Sequence, residues 1–112
     1  MPTHRTDSPI DTLAAVVRLL SHAGDLAWRQ AIDAPSTTLM AFSCAAQHTA
    51  SLALQLLPAD ASVDTPLPAD ADPIALLHNA AELIAARPLE DYPTGTHAVI
   101  AGIGDLMNQV SP

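Results

Sequence analysis

Residues 8–33 read SPIDTLAAVVRLLSHAGDLAWRQAID, and the spacing of apolar side chains along them sets the fold class. Ile10, Leu13, Val17, Leu20, Ala27 and Ala31 recur at steps of three, four and seven residues, which is one face of a helix. Asp11, Arg18, His22, Asp25, Arg29 and Asp33 fall on the opposite face. Ser8 supplies a capping hydroxyl, Pro9 suits the first helical position, and Asp11 sits near the positive end of the helix dipole. The stretch therefore predicts an amphipathic helix over about 9–33. Gly24 costs that helix about 1 kcal/mol relative to alanine, so a close contact with another helix or a slight bend is expected there.

Moving outward, Ala34-Pro35-Ser36-Thr37 breaks and restarts the chain, because proline disfavours helical geometry in the residue before it. A second helix follows over about 38–57, with Leu39, Phe42, Ala45, Ala46, Leu52, Ala53 and Leu56 on a broad apolar face. Gln47, His48, Ser51 and Gln55 form its polar side. The short connection makes these two helices an antiparallel hairpin. Asp72-Pro73 repeats the cap-and-proline start and predicts a third helix over about 73–87, with Ile74, Leu77, Ala81 and Ile84 as its stripe. Leu89 to Gly95 reads as a turn. A fourth helix over about 96–110 carries Val99, Ile100, Ile103, Leu106, Met107 and Val110, and Gly102 and Gly104 make it dependent on packing.

Between the hairpins, residues 58–72 read PADASVDTPLPADAD, with three prolines, four aspartates and no helical period. Fifteen extended residues reach roughly 50 Å, further than the roughly 30 Å of a twenty-residue helix. The third helix is thus free to start at either end of the first hairpin. Residues 1–7 are expected to be a flexible N-terminus. The fold expected is all-α: one four-helix bundle domain over residues 1–112, built from two antiparallel helical hairpins joined by a long Pro/Asp-rich loop. An internal echo accompanies it, since Leu19-Leu20-x-x-Ala23-x-Asp25-Leu26 is matched by Leu76-Leu77-x-x-Ala80-x-Glu82-Leu83 at a constant offset of 57 residues.

Composition agrees with this reading and narrows the function. The 112 residues include twenty-two alanines but only Trp28, Phe42 and Tyr92 as aromatics, which favours close helix packing. Twelve acidic residues stand against four arginines and no lysine, a formal net charge of −8. Nucleic-acid binding needs clustered cations to displace counterions from phosphates, and anionic membranes attract basic segments, so neither partner is expected. Arginine without lysine, with abundant Ala, Asp and Pro, fits a high-GC bacterial source. A lone Cys44 cannot close an intramolecular disulfide, and no secretory leader or membrane-spanning run is apparent. The cytoplasm is the expected location.

Chemistry-bearing residues pair on helices at spacings of three or four: His22 with Asp25, Cys44 with His48, and His78 with Glu82. Such spacing puts both members on one face, as a metal site in a bundle requires. His22, Cys44, His48 and His78 are the candidate metal or small-molecule ligands. The histidines fall on the polar sides of their helices, however, where solvated side chains are expected, and Cys44 is expected to be a buried or half-buried inert thiol. No catalytic residues and no cofactor are expected, because no phosphate-cradling glycine loop, Cys-x-x-Cys pair or nucleophile elbow is present. Trp28, at the edge of the first stripe, is expected to fill the core, with an exposed anchor for a partner as its alternative role. Tyr92, in the Asp91-Tyr92-Pro93 turn, is expected to seal the end of the bundle or to act as a second contact residue. The sequence thus points to a non-enzymatic interaction or regulatory module that binds another protein or a second copy of itself. A small-molecule or metal-binding bundle, and an accessory subunit of a neighbouring enzyme, are the alternatives.

Overall fold

The computed structural model describes residues 8–61 and 72–110. Its helices are α1 (Pro9–Asp33), α2 (Thr37–Gln55), α3 (Pro73–Ala85) and α4 (Thr96–Val110), with a 3-10 turn at Leu89–Asp91. The expected flexible N-terminus, and residues 62–71 of the expected loop, lie outside the described residues. Three helices start on side-chain caps. The Ser8 hydroxyl accepts from the Asp11 N–H at 3.0 Å, Ser36 from Leu39 at 3.2 Å, and the Asp72 carboxylate from Ala75 at 2.7 Å. The second and third helices end two residues earlier than the sequence suggests. There the Leu56, Leu57 and Ala86 N–H groups bond to the carbonyls three residues back, tightening the last turn out of α geometry.

Inter-helix contacts fix the directions. Gly24 of α1 lies against Gln47 of α2, Arg87 beyond α3 bonds Thr12 of α1, and Gly102 of α4 lies against Thr49 of α2. Each of these neighbours is antiparallel to the helix it packs on. The start of α3 meets the end of α1 and the start of α2, where Gln30, Thr38, Pro73 and Val110 surround one recess. Consequently α2 and α3 run the same way on opposite corners of the bundle, and α1 and α4 occupy the other two corners. The chain between Gln55 and Pro73 therefore joins opposite ends of the bundle, an architecture with one long crossover connection. A simple up-and-down alternation is excluded.

One core runs through all four helices. Leu13, Val16, Leu20, Leu76, Leu77, Val99 and Leu106 are fully buried, with Phe42 beside them. Burying each leucine contributes roughly 1.5–3 kcal/mol. Ala23, Ala27, Ala46, Ala53 and Ala80 are equally inaccessible, and their small side chains let the helices approach. On α3 the buried stripe runs through Pro73, Leu76, Leu77, Ala80 and Ile84, whereas Ile74, expected on the apolar face, is 45% exposed. The echo is a packing equivalence. Leu19, Leu20 and Ala23 are buried as are Leu76, Leu77 and Ala80, while Asp25 and Glu82 are exposed and Leu26 and Leu83 half-buried.

The hairpin α1–α2 closes by polar stitching as well as apolar contact. Ser43 donates to the Gly24 carbonyl at 2.8 Å. Gln47 donates to the Ser21 carbonyl at 2.9 Å and to the Asp25 carboxylate at 3.0 Å. A Cβ on Gly24 would sit 2.6 Å from the Gln47 amide nitrogen, so the close approach expected at this glycine is present.

Candidate functional site

The candidate ligands do not converge. His48, His78 and Cys44 are exposed and His22 is half-buried, each on the outward side of its own helix. Among the described residues no group of three or more His, Cys, Asp or Glu could hold a metal ion. Cys44 corrects the sequence expectation: it points outward because the buried positions around it, Phe42, Ser43 and Ala46, already define the inward face of α2.

The two aromatic candidates separate. Tyr92 is 7% exposed, and its hydroxyl donates to the Ile84 carbonyl at 2.9 Å, capping the end of α3. Burial raises the pKa of its phenol above the ordinary value, the Arg87 guanidinium opposes the shift, and the Asp91 carboxylate adds to it. The turn after it is made by Gly95, whose φ of +104° suits glycine. Trp28 is 44% exposed, which corrects the expectation that it fills the core. It sits one turn beyond Gly24, on the side of α1 that faces α2. Helices that close on a glycine leave no room between them for an indole, so the ring extends outward.

Trp28 has apolar company that sequence reasoning did not assign. Ile32, one turn further along the same edge of α1, is 64% exposed, and Met40 and Leu54 of α2 are 43% and 52% exposed. The register set by Gly24 and Ser43 brings Met40 level with Trp28. Beside these residues runs the outermost stripe of α2: Thr37, Ala41, Cys44, His48, Ser51 and Gln55, all exposed, at alternating steps of four and three. From Thr37 to Gln55 there is no Asp, Glu, Lys or Arg, in a chain with sixteen such residues, whereas α1, α3 and α4 each carry at least one acid. That missing charge is the signal in the sequence that could have located the face.

A second feature lies at the end of the bundle where α3 begins. Leu39, Phe42, Pro73, Ile74 and Val110, with Gln30, Thr38, Asp72 and Gln109 at the rim, enclose a recess of about 400 Å³. None of the candidate metal ligands lines it.

No protein-family model matches the chain, and neither a curated protein nor a solved structure matches it. Among the described residues no helix is long and apolar enough to cross a membrane.

Proposed function

We propose that the protein is a non-enzymatic interaction module of a bacterial cytoplasm, which binds another protein or itself through the outer face of the α1–α2 hairpin. One observation carries this reading: the charge-free exterior of α2 is bordered by exposed Trp28, Ile32, Met40 and Leu54. Trp28, Ile32 and Met40 group at one end of that uncharged face, and tryptophan is among the residues that most often dominate binding energy. The acidic remainder of the surface keeps the free module soluble.

The test is site-specific photo-crosslinking in the cells that make the protein. A photoreactive residue at Met40 or Leu54 is expected to give one defined adduct, absent when the probe replaces exposed Asp105 on α4. Equal yields at all three positions, or none at Met40 and Leu54, would remove the reading. Trp28→Ala should weaken the contact by about 2 kcal/mol or more.

The end recess favours a second reading, a small-molecule site, because its volume and apolar lining fall within the range of ligand pockets. Thermal unfolding against a panel of apolar compounds tests it. No ligand that raises the melting temperature, or one whose effect survives Phe42→Trp, would exclude it.

A further inference from the structure

We infer that the recess at the end of the bundle takes a small amphiphilic amine, with its apolar body on Phe42 and Ile74 and its ammonium against Asp72. This rests on the second reading above, the small-molecule site, and names the chemistry of the ligand.

The floor of the recess selects the body. Phe42 and Pro73 are buried and Leu39 and Val110 half-buried, while Ile74 lines the recess with 45% of its surface exposed. Ile74 lies outside the buried stripe of α3, so an apolar body seated on it covers surface that the fold itself leaves bare. At about 400 Å³ the recess lies near the lower end of the range for ligand pockets, roughly 300–1,000 Å³. The ligand is therefore small.

Charge selects the head group. Asp72 is the only ionic side chain in the lining. Its Oδ1 accepts the Ala75 N–H at 2.7 Å, and a carboxylate with two oxygens has room for a further donor. Asp33 lies one turn beyond Gln30, and Asp105 one turn before Gln109, each on the same helix edge as that rim residue. All three carboxylates are exposed. Among the described arginines, Arg29 is turned roughly 100° around α1 from Gln30, and Arg18 lies roughly 18 Å back along that helix. Arg87 follows the far end of α3. No base occupies the last turn of α1 or of α4, the two helices whose negative ends meet here. The positive ends of α2 and α3 meet here too, and Ser36 and Asp72 already cap them. This end of the bundle thus attracts a cation and repels an anion. An ammonium brings three donors and no acceptor, which suits the Asp72 carboxylate and the side-chain oxygens of Gln30, Thr38 and Gln109.

Three probes of nearly one shape separate the contributions: phenylbutylamine, phenylbutanol and phenylbutyrate, which are cationic, neutral and anionic at neutral pH. Each is titrated at low ionic strength into the isotope-labelled full chain, and backbone amide shifts in NMR spectra give both the location and the Kd. The amine should shift Leu39, Phe42 and Ile74. An exposed ion pair is worth up to about fivefold in affinity, so the amine should bind up to about fivefold more tightly than the alcohol. The carboxylate should bind more weakly than either. Asp72→Asn keeps the cap on α3, since asparagine caps as well as aspartate. It should weaken the amine by roughly two- to fivefold and leave the alcohol unchanged. Ile74→Ala, at an exposed position, should weaken all three probes alike. An amine that binds no better than the alcohol, or that ignores Asp72→Asn, would overturn the inference and leave the recess a pocket for uncharged ligands. Binding indifferent to Ile74→Ala would place the amine elsewhere and overturn it as well. No shift at the recess with any probe, up to its solubility, would remove both the inference and the reading beneath it.

Discussion

Two glycines of α4, two residues apart, should respond to alanine with opposite signs. A Cβ on Gly104 would meet nothing within 4 Å, so Gly104→Ala adds helix propensity alone, about 1 kcal/mol. For a domain of this size that raises the melting temperature by roughly 4 °C. A Cβ on Gly102 would lie 2.6 Å from Thr49 Oγ1, 2.9 Å from Cγ2 and 3.3 Å from Cβ. Ordinary carbon contacts are about 3.5–4.0 Å. Thr49 has little room to yield, because its β-branched side chain is stiff and buried, and its hydroxyl is bound to the Ala45 carbonyl at 2.9 Å. Either α4 moves away from α2 or Thr49 leaves its rotamer, at an overpacking cost of about 1–3 kcal/mol. Offset by the propensity gain, Gly102→Ala should lose up to about 2 kcal/mol. In a Thr49→Ala background both γ atoms are gone, and the same change should become stabilising, a coupling of about 1–3 kcal/mol. Reversible thermal and urea unfolding, followed by far-UV circular dichroism, reads all four corners of the cycle. If Gly102→Ala raises the melting temperature as much as Gly104→Ala, or keeps its sign without Thr49, then α2 and α4 do not meet there.

Three further outcomes test other joints of the fold. Gly24→Ala should destabilise by about 1 kcal/mol, because Gln47 must surrender its bonds to Ser21 and Asp25, each worth about 1 kcal/mol, against a propensity gain of similar size; denaturant midpoints check it, with Gln47→Ala as the background in which the loss should vanish. Ser36→Ala removes the cap on α2 and should cost about 1 kcal/mol, measured as hydrogen-exchange protection in that helix's first turn. Tyr92→Phe orphans the Ile84 carbonyl and should cost about 1–3 kcal/mol. Because the folded phenol titrates above its unfolded value of about 10, wild-type stability is complete below about pH 10 and falls as pH rises through the folded value. With no lysine and one tyrosine in the chain, Tyr92→Phe should flatten that alkaline decline, as pH-dependent urea unfolding would show.

The helices were legible because their start signals are chemical and local. Ser8-Pro9 and Asp72-Pro73 cap the helices they appear to cap, and leucine and valine periodicity on α1 marks its buried face. Direction was not legible, since residues 58–72 can reach either end of the first hairpin, and only contacts such as Thr12 with Arg87 decide between them. Nor did side-chain size predict the exposure of Trp28 and Cys44. The α1–α2 contact closes on Gly24, Ser43 and Gln47, which leaves Trp28 and Cys44 on the outer side of their helices while Phe42, Tyr92 and the buried leucines fill the core. The proposed contact face was hidden for a related reason. Hydropathy reads Ala41, Cys44 and Ser51 as weakly polar or weakly apolar, and only the absence of charge from Thr37 to Gln55 distinguishes that side.

The two hairpins share a pattern but not a strength of closure, and the difference bears on the proposed contact surface. At the offset of 57 residues, Gly24, Ser43 and Gln47 correspond to Ala81, Ile100 and Gly104. The first trio locks α1 to α2 through four hydrogen bonds and a glycine contact. The second trio has no side-chain donor or acceptor, leaves Ile100 37% exposed, and leaves open space at Gly104. A contact surface spread over two helices binds more tightly when those helices are already fixed relative to each other, because less ordering entropy is lost on docking. Trp28 and Ile32 on one helix, and Met40 and Leu54 on the other, stand on the pair that is fixed in this way. On the proposed function, the polar stitching of α1 to α2 would serve the exterior of the hairpin as much as its interior.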